Sequence, residues 1–311
     1  VIVSHDASIW DAAIALPLEL RLGAAPDDVV RHVNAVNALT GPTNVSPAQV
    51  GDDFREDVRA AVDEMPEVVK ALLRDSYLGV YFAHALGSSA ITDIVVTPAS
   101  EFLGIVTALD ADSFVNRSAN EWASWKENTP FAPSPYSVEV RIAEPAQDNR
   151  QNAIQYLLLH ELGHALAAGR TLLPDWWLAP EQIKPAQNYS FLPISWRVDA
   201  NGAILPLDAN EFPQRARLSF YSGPQLDGEQ IPAIYQALGK TDFFTLYSAV
   251  SAHEDFAESF ASFVHTQLLG KPMSVRVLHD GVPQFELAMD WNAARFARKA
   301  ELLRRFLKQA W

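Results

Sequence analysis

The stretch Gln151–Ala168, QNAIQYLLLHELGHALAA, decides the reading of this chain. It has no proline and is rich in Leu and Ala, so it predicts a helix. Asp148 or Asn149 can cap its start, and Gly169 stands where helices commonly end in a left-handed residue. Within it, His160-Glu161-Leu162-Gly163-His164 sets two imidazoles four residues apart on one helical face. Both can reach one metal ion, and Glu161, one position on, points toward a water held there. Ile154, Leu157, Leu158, Leu162, Ala165 and Leu166 are expected to pack around the helix and make it a buried, rigid support. The plainer alternative is a pair of satisfied polar residues on a core helix.

A catalytic zinc needs a third protein ligand and an open fourth position. The chain has no cysteine, so only His, Asp and Glu can ligate, and disulfides and thiol nucleophiles are excluded. A third histidine six residues after His164 would mark the metzincin class, but that position holds Arg170. Downstream, Ser251–Ala261 (SAHEDFAESFA) reads as a second active-site helix, with Phe256, Phe260, Phe263 and Val264 as its packing face. Glu254 and Glu258 stand one turn apart. At that spacing one carboxylate can bind the metal while the other takes a hydrogen bond from the far nitrogen of a ligating histidine. Glu254 is assigned to the metal and Glu258 to orienting the histidine. A solvated acidic face is the competing reading. His253 and Asp255 are adjacent but fall on other faces, and Asp175, eleven residues past His164, is an alternative ligand.

The wider composition narrows the field. With 311 residues and 49% hydrophobic content, the chain is long enough for two domains or one large domain with a helical annex. Lys+Arg of 24 against Asp+Glu of 38 gives a net charge of −14 with no basic block, which disfavours nucleic acid as a partner. No apolar run is long enough for a membrane span. The start at Val1 rather than Met is read as a removed leader, hence a periplasmic or secreted bacterial protein.

Residues 1–86 read mainly as helices, over Ile9–Leu22, Pro26–Leu39 and Val50–Ala85, with a break at Met65-Pro66. Short β-branched runs follow at Ile91–Thr97, Leu103–Leu109 and Ser137–Ala143 and are expected to form one small sheet. The alternation in Ser137–Ile142 predicts an exposed edge that could take an extended peptide by strand addition. Residues 170–241, with Trp176-Trp177 and a hairpin through Asp199–Gly202, read as an insertion that either borders the active site or forms its own subdomain. Asp290–Trp311 predicts an amphipathic helix with a basic stripe formed by Arg295, Arg298, Lys299, Arg304, Arg305 and Lys308.

Taken together, His160-Glu161-Leu162-Gly163-His164 and the distant Glu254-Asp255-Phe256-Ala257-Glu258 resemble the gluzincin metallopeptidases, above all the group containing the anthrax lethal factor catalytic domain and the Pro-Pro endopeptidases. The likeness covers about forty residues in two patches. Those proteins carry a tyrosine seven residues before the glutamate ligand, and Tyr247 occupies that place. The resemblance implies an α+β, zincin-like catalytic domain over residues 87–311, with a small mixed sheet, the HExxH helix and a second ligand-bearing helix. It further implies Zn²⁺ on His160, His164 and Glu254, Glu161 as general base, Tyr247 stabilising the oxyanion, Glu258 behind a histidine, and a peptide or protein as substrate. His253 is a further candidate donor. Two other outcomes stay open: an inactive binding protein on a peptidase scaffold, and a zinc amidase acting on a non-protein amide.

Overall fold

The computed structural model describes residues 1–308. The first part of the chain forms β1 (Ile2–Val3), α1 (Ala7–Ile14), β2 (Leu22–Ala24), α2 (Asp27–Asn37), β3 (Ser46–Pro47), α3 (Asp52–Asp63) and α4 (Glu67–Leu73). Next come β4 (Tyr77–His84), β5 (Ala90–Val96), β6 (Phe102–Asp110), α5 (Ala119–Asn128), β7 (Tyr136–Arg141) and α6 (Arg150–Ala167). After a run of single turns follow β8 (Trp196–Val198), β9 (Ile204–Pro206), α7 (Ile231–Leu238), α8 (Ala252–Phe263), β10 (Ser274–His279), β11 (Val282–Leu287) and α9 (Ala297–Lys308). The class is α+β, and no described helix is long and apolar enough to cross a membrane.

Six strands form the main sheet in the order β1-β5-β6-β4-β2, with β3 beside β4. β4 runs parallel to β6 and β2, whereas β5 runs antiparallel to β6. β1 meets β5 only at Val95 and Val96, so among the described residues no strand pairs with Ala90–Ile94 on that side, and it forms a free edge. α6 packs across one face against β5, and α8 packs on α6. The larger core joins this face to both helices through Phe82, Leu158, Phe191, Phe256 and Phe260; a smaller one on the opposite face holds Trp10, Val29, Val33 and Val106.

Several expectations need correction. Residues 1–86 do carry four helices, and the break at Pro66 is real, but Tyr77–His84 is a central strand where a helix was expected. Its side chains alternate between the two cores, Tyr77, Val80 and Phe82 on one side and Leu78, Tyr81 and Ala83 on the other. Burial on both faces makes the run uniformly apolar, which hides the period of two. Gly79, at φ +123°, could not be replaced without a clash, since a Cβ there would lie 2.1 Å from the Arg21 carbonyl oxygen. The three expected strands also do not share one sheet: β7 belongs to a separate sheet, β11-β10-β7.

Nor is the β7 edge open to a peptide, because α5 covers it with side chains one turn apart. Asn128 Oδ1 accepts the Val138 N–H (2.9 Å), Ser124 Oγ accepts the Val140 N–H (2.9 Å) and Asn120 Oδ1 accepts the Ile142 N–H (2.7 Å). Near the C-terminus, Lys299 leaves the expected basic stripe. It is fully buried, with Nζ 2.6 and 2.8 Å from the Asp255 carboxylate oxygens. Residues 309–311 of the expected terminal helix lie outside the described ones.

Candidate metal centre

α6 begins with Asn149, whose side chain accepts the Asn152 N–H, and is buried along almost its whole length. It ends at Gly169, at φ +69°, where Asp175 Oδ1 accepts the Gly169 N–H at 2.7 Å. Asp175 therefore secures the end of the helix and does not join the two histidines. α8 starts from Ser251, whose Oγ accepts the Glu254 N–H at 3.2 Å, so Glu254 sits in its first turn. The two helices meet at Gly163 and Ala257. A Cβ at position 163 would lie 2.7 Å from Ala257 Cα, so only glycine permits this approach. Gly163 lies between the two histidines, and Ala257 lies between the two glutamates. The contact therefore sets how the four polar side chains face one another.

His160, His164 and Glu254 converge. His160 Nε2 is 3.1 Å from His164 Nε2 and 3.0 Å from Glu254 Oε2, and His164 Nε2 is 3.4 Å from the same oxygen. Around a tetrahedral ion with bonds of about 2.0–2.1 Å, ligand atoms stand about 3.3–3.4 Å apart. The three edges fit that spacing to within a few tenths of an ångström, and these residues form the group among the described residues able to hold a metal ion. Glu254 Oε2 is buried and makes no hydrogen bond despite its two close nitrogens, as expected for an atom oriented toward a cation.

The charges agree with this fit. Burial would push His160 down, but the neighbouring Glu254 and Glu258 carboxylates outweigh it and raise the imidazole to about 9. Burial likewise works against an ionised Glu254, yet the two histidines hold it well below the usual carboxylate range. A field that favours a proton at this point also favours a metal cation. Two nitrogens and a carboxylate oxygen suit several divalent transition metals, zinc among them.

Behind His160 lies a buried polar chain. Nδ1 is 3.0 Å from Glu258 Oε1, with its N–H turned off the line between them. Glu258 also accepts from Lys126 Nζ (2.7 Å) and from the Tyr156 hydroxyl (3.4 Å). Burial raises the Glu258 carboxyl, but Lys126 and His160 reverse this and bring it to about 2. The Lys126 ammonium in turn lies 4.2 Å over the Tyr247 ring, which stacks on His160 with centroids 5.5 Å apart. One lysine thus contacts both the carboxylate behind the histidine and the aromatic ring above it.

A cleft of about 380 Å³ opens over the three ligand atoms. Glu161, Tyr247, His253 and Trp176 line it together with the Ala90–Thr92 edge of β5. Glu161 is 4% exposed and its Oε2 has no hydrogen-bond partner among the described residues, so it is a free acceptor within the cleft wall. Burial holds the Tyr247 hydroxyl well above the usual phenol range, keeping it a donor. His253 spends Nε2–H on the Pro174 carbonyl (2.8 Å), and burial pushes its pKa down. On β5, Ser89 O accepts from Asp110 N, and ladder alternation then turns the N–H and C=O of Ala90 and Thr92 away from β6 toward the cleft. Ser88 Oγ already bonds the Ala90 carbonyl (2.8 Å).

The structure brings together His160, Glu161, His164, Tyr247, Glu254 and Glu258, and leaves Asp175 apart. Sequence reasoning missed Lys126 and the β5 edge. Neither Lys126 nor the helix that carries it stood out in the sequence, because an adjacent Lys-Glu pair ordinarily marks a solvated face. The available signal was the capping box Ser118-x-x-Glu121, followed by Trp122 and Ala123 one turn before Lys126 and Glu127, which marks that face of α5 as inward. No protein-family model, curated protein or solved structure matches this chain.

Proposed function

We propose that this chain is a zinc-dependent peptidase of gluzincin type, with His160, His164 and Glu254 as the metal ligands. The observation that carries the reading is the near-tetrahedral spacing of three converging ligand atoms in a cleft that Glu161 also lines. Zn²⁺ held there would act as a Lewis acid, lowering the pKa of water toward about 7 and polarising the scissile carbonyl.

The protein's own groups supply the remaining steps. Glu161 takes a proton from the attacking water as its oxygen bonds to the carbonyl carbon, then delivers that proton to the amine as the C–N bond breaks. The Tyr247 hydroxyl donates to the carbonyl oxygen as it gains charge, a contribution of about 2.7–4 kcal/mol for a well-placed donor. Glu258, held by Lys126 and 3.0 Å from His160 Nδ1, favours the proton on that nitrogen and so leaves Nε2 to face the metal. The outward N–H and C=O of Thr92 and the N–H of Ala90 offer an extended substrate a strand to pair with, which favours a peptide over a compact amide.

The test is cleavage of a defined peptide library by zinc-reconstituted protein, with and without chelator. Chelator-sensitive cleavage at internal bonds supports the proposal. Reconstituted protein that holds zinc and cuts none of the library overturns the peptidase reading.

A further inference from the structure

The catalytic cleft does not end at Ser88. That residue also lines a second hollow of about 300 Å³, walled by Trp125 and Tyr221 and containing Asp110, Asp112 and Arg117. Tyr221 in the hollow wall stands close to the cleft, its ring 6.5 Å from that of Tyr247, which lines the cleft. The free β5 edge leads from Thr92 through Ala90 to Ser88, and an extended chain advances about 3.3 Å per residue. A peptide lying along β5 therefore brings a residue about two to four positions from the cut bond to this hollow.

Its charges are unevenly satisfied. Asp112 is committed, with Oδ1 2.9 Å from His84 Nδ1 and Oδ2 accepting the Ala85 N–H at 3.1 Å. Asp110 is 7% exposed, accepts the Ser113 hydroxyl at 2.8 Å, and burial penalises its charged form. Arg117 differs. Its guanidinium lies 4.1 Å over the Trp125 ring and gives one hydrogen bond, to the Ser113 carbonyl at 2.8 Å, and among the described residues it pairs with no carboxylate. A guanidinium stacked on an indole is held in orientation, with most of its N–H donors still to be spent, and it suits two-point binding of a carboxylate.

We propose that this hollow is a substrate subsite in which Arg117, backed by Trp125, binds a carboxylate of the peptide. The source is either an acidic side chain or the free C-terminus. This inference rests on the peptidase reading for its substrate, and the test separates the two. Matched peptides carry Glu, Gln or Lys at each of the second to fourth positions on either side of the cut bond, and each ends in a free carboxylate or an amide. Cleavage is measured for wild type, Arg117→Gln and Arg117→Glu. Binding of the same peptides to Glu161→Gln protein, with and without Arg117→Gln, is followed in parallel through the fluorescence of the tryptophans.

The expected result is a preference of tenfold or more in kcat/KM at one position, falling to within twofold of parity in Arg117→Gln and turning toward Lys in Arg117→Glu. If the preference follows the amide rather than the side chain, the ligand is the C-terminus. Cleavage without any charge preference, a preference that survives Arg117→Gln, or a wild-type preference for Lys overturns the subsite and leaves the peptidase reading standing. Charge-dependent binding through Arg117 without cleavage upholds the subsite and overturns the peptidase reading. Neither cleavage nor charge-dependent binding overturns both.

Discussion

Replacing Gly163 by alanine is expected to damage the metal centre far more than the fold. The new Cβ would stand 2.7 Å from Ala257 Cα, and carbon atoms in good contact stand about 3.5–4.0 Å apart. α6 and α8 must therefore separate locally by about 0.8–1.3 Å. Metal sites tolerate ligand displacements of about 0.2 Å, so Glu254 is carried out of register with His160 and His164. Overpacking of this kind costs about 1–3 kcal/mol, while alanine gains about 1 kcal/mol over glycine inside a helix. The net loss of stability is about 0–2 kcal/mol, and about 2–4 °C in Tm accompanies each kcal/mol. Zinc affinity should fall by at least about tenfold, which removes about 1.4 kcal/mol from the stabilisation that zinc confers. Competition against a chromophoric chelator measures the first quantity, and thermal unfolding with and without zinc the second. Adding Ala257→Gly should not rescue the site, because the obstacle is the Cα rather than the methyl group. If Gly163→Ala binds zinc within twofold of wild type, the helix contact does not set the ligand geometry.

Other expectations follow from the surroundings of the site. Lys126→Met leaves the Glu258 carboxylate buried without its cation and should cost about 3–5 kcal/mol in urea unfolding, whereas Lys126→Met with Glu258→Gln should recover most of that loss; a double-variant loss equal to the sum of the Lys126→Met and Glu258→Gln losses would show that the pair is not coupled. His265 donates Nε2–H to the carbonyls of Ile142 or Pro272, 2.9 and 3.1 Å away, and burial lowers its pKa from 6.5 to about 4. The unfolded chain then takes up a proton that the folded chain refuses, so stability declines as pH falls from about 6.5 to about 4, by about 3 kcal/mol in all. Unfolding of wild type and His265→Gln across that range tests this, and identical pH profiles would remove His265 as the cause. Asp175→Ala loses the acceptor for Gly169 N–H and should cost about 1 kcal/mol without loss of metal. A metal-depleted Asp175→Ala protein would restore that residue as a ligand.

α6 was legible because its signals are local: Asn149 caps it, Gly169 ends it, and His160 and His164 share a face by simple periodicity. The pairing of Glu254 with Glu258 was legible for the same reason. β4 was not, because burial on both faces erases the alternation that distinguishes a strand from a buried helix. α5 escaped notice with its inward Lys126 and with the Asn120, Ser124 and Asn128 side chains that close the β7 edge. Those roles depend on partners far away in sequence. The fate of Lys299 makes the same point: a basic residue on an amphipathic terminal helix reads as solvated until Asp255, 44 residues earlier, is seen to lie against it.

The measurement that bears most directly on the central claim is metal content by mass spectrometry on reconstituted wild type, Glu254→Gln, Asp175→Asn and Glu161→Gln, with peptide cleavage by each. The account predicts close to one Zn²⁺ per chain in wild type, Asp175→Asn and Glu161→Gln, its loss in Glu254→Gln, and no cleavage by Glu161→Gln even though it holds the metal. Wild type that takes up no zinc, or a zinc-loaded Glu161→Gln protein that cleaves as wild type does, would contradict it.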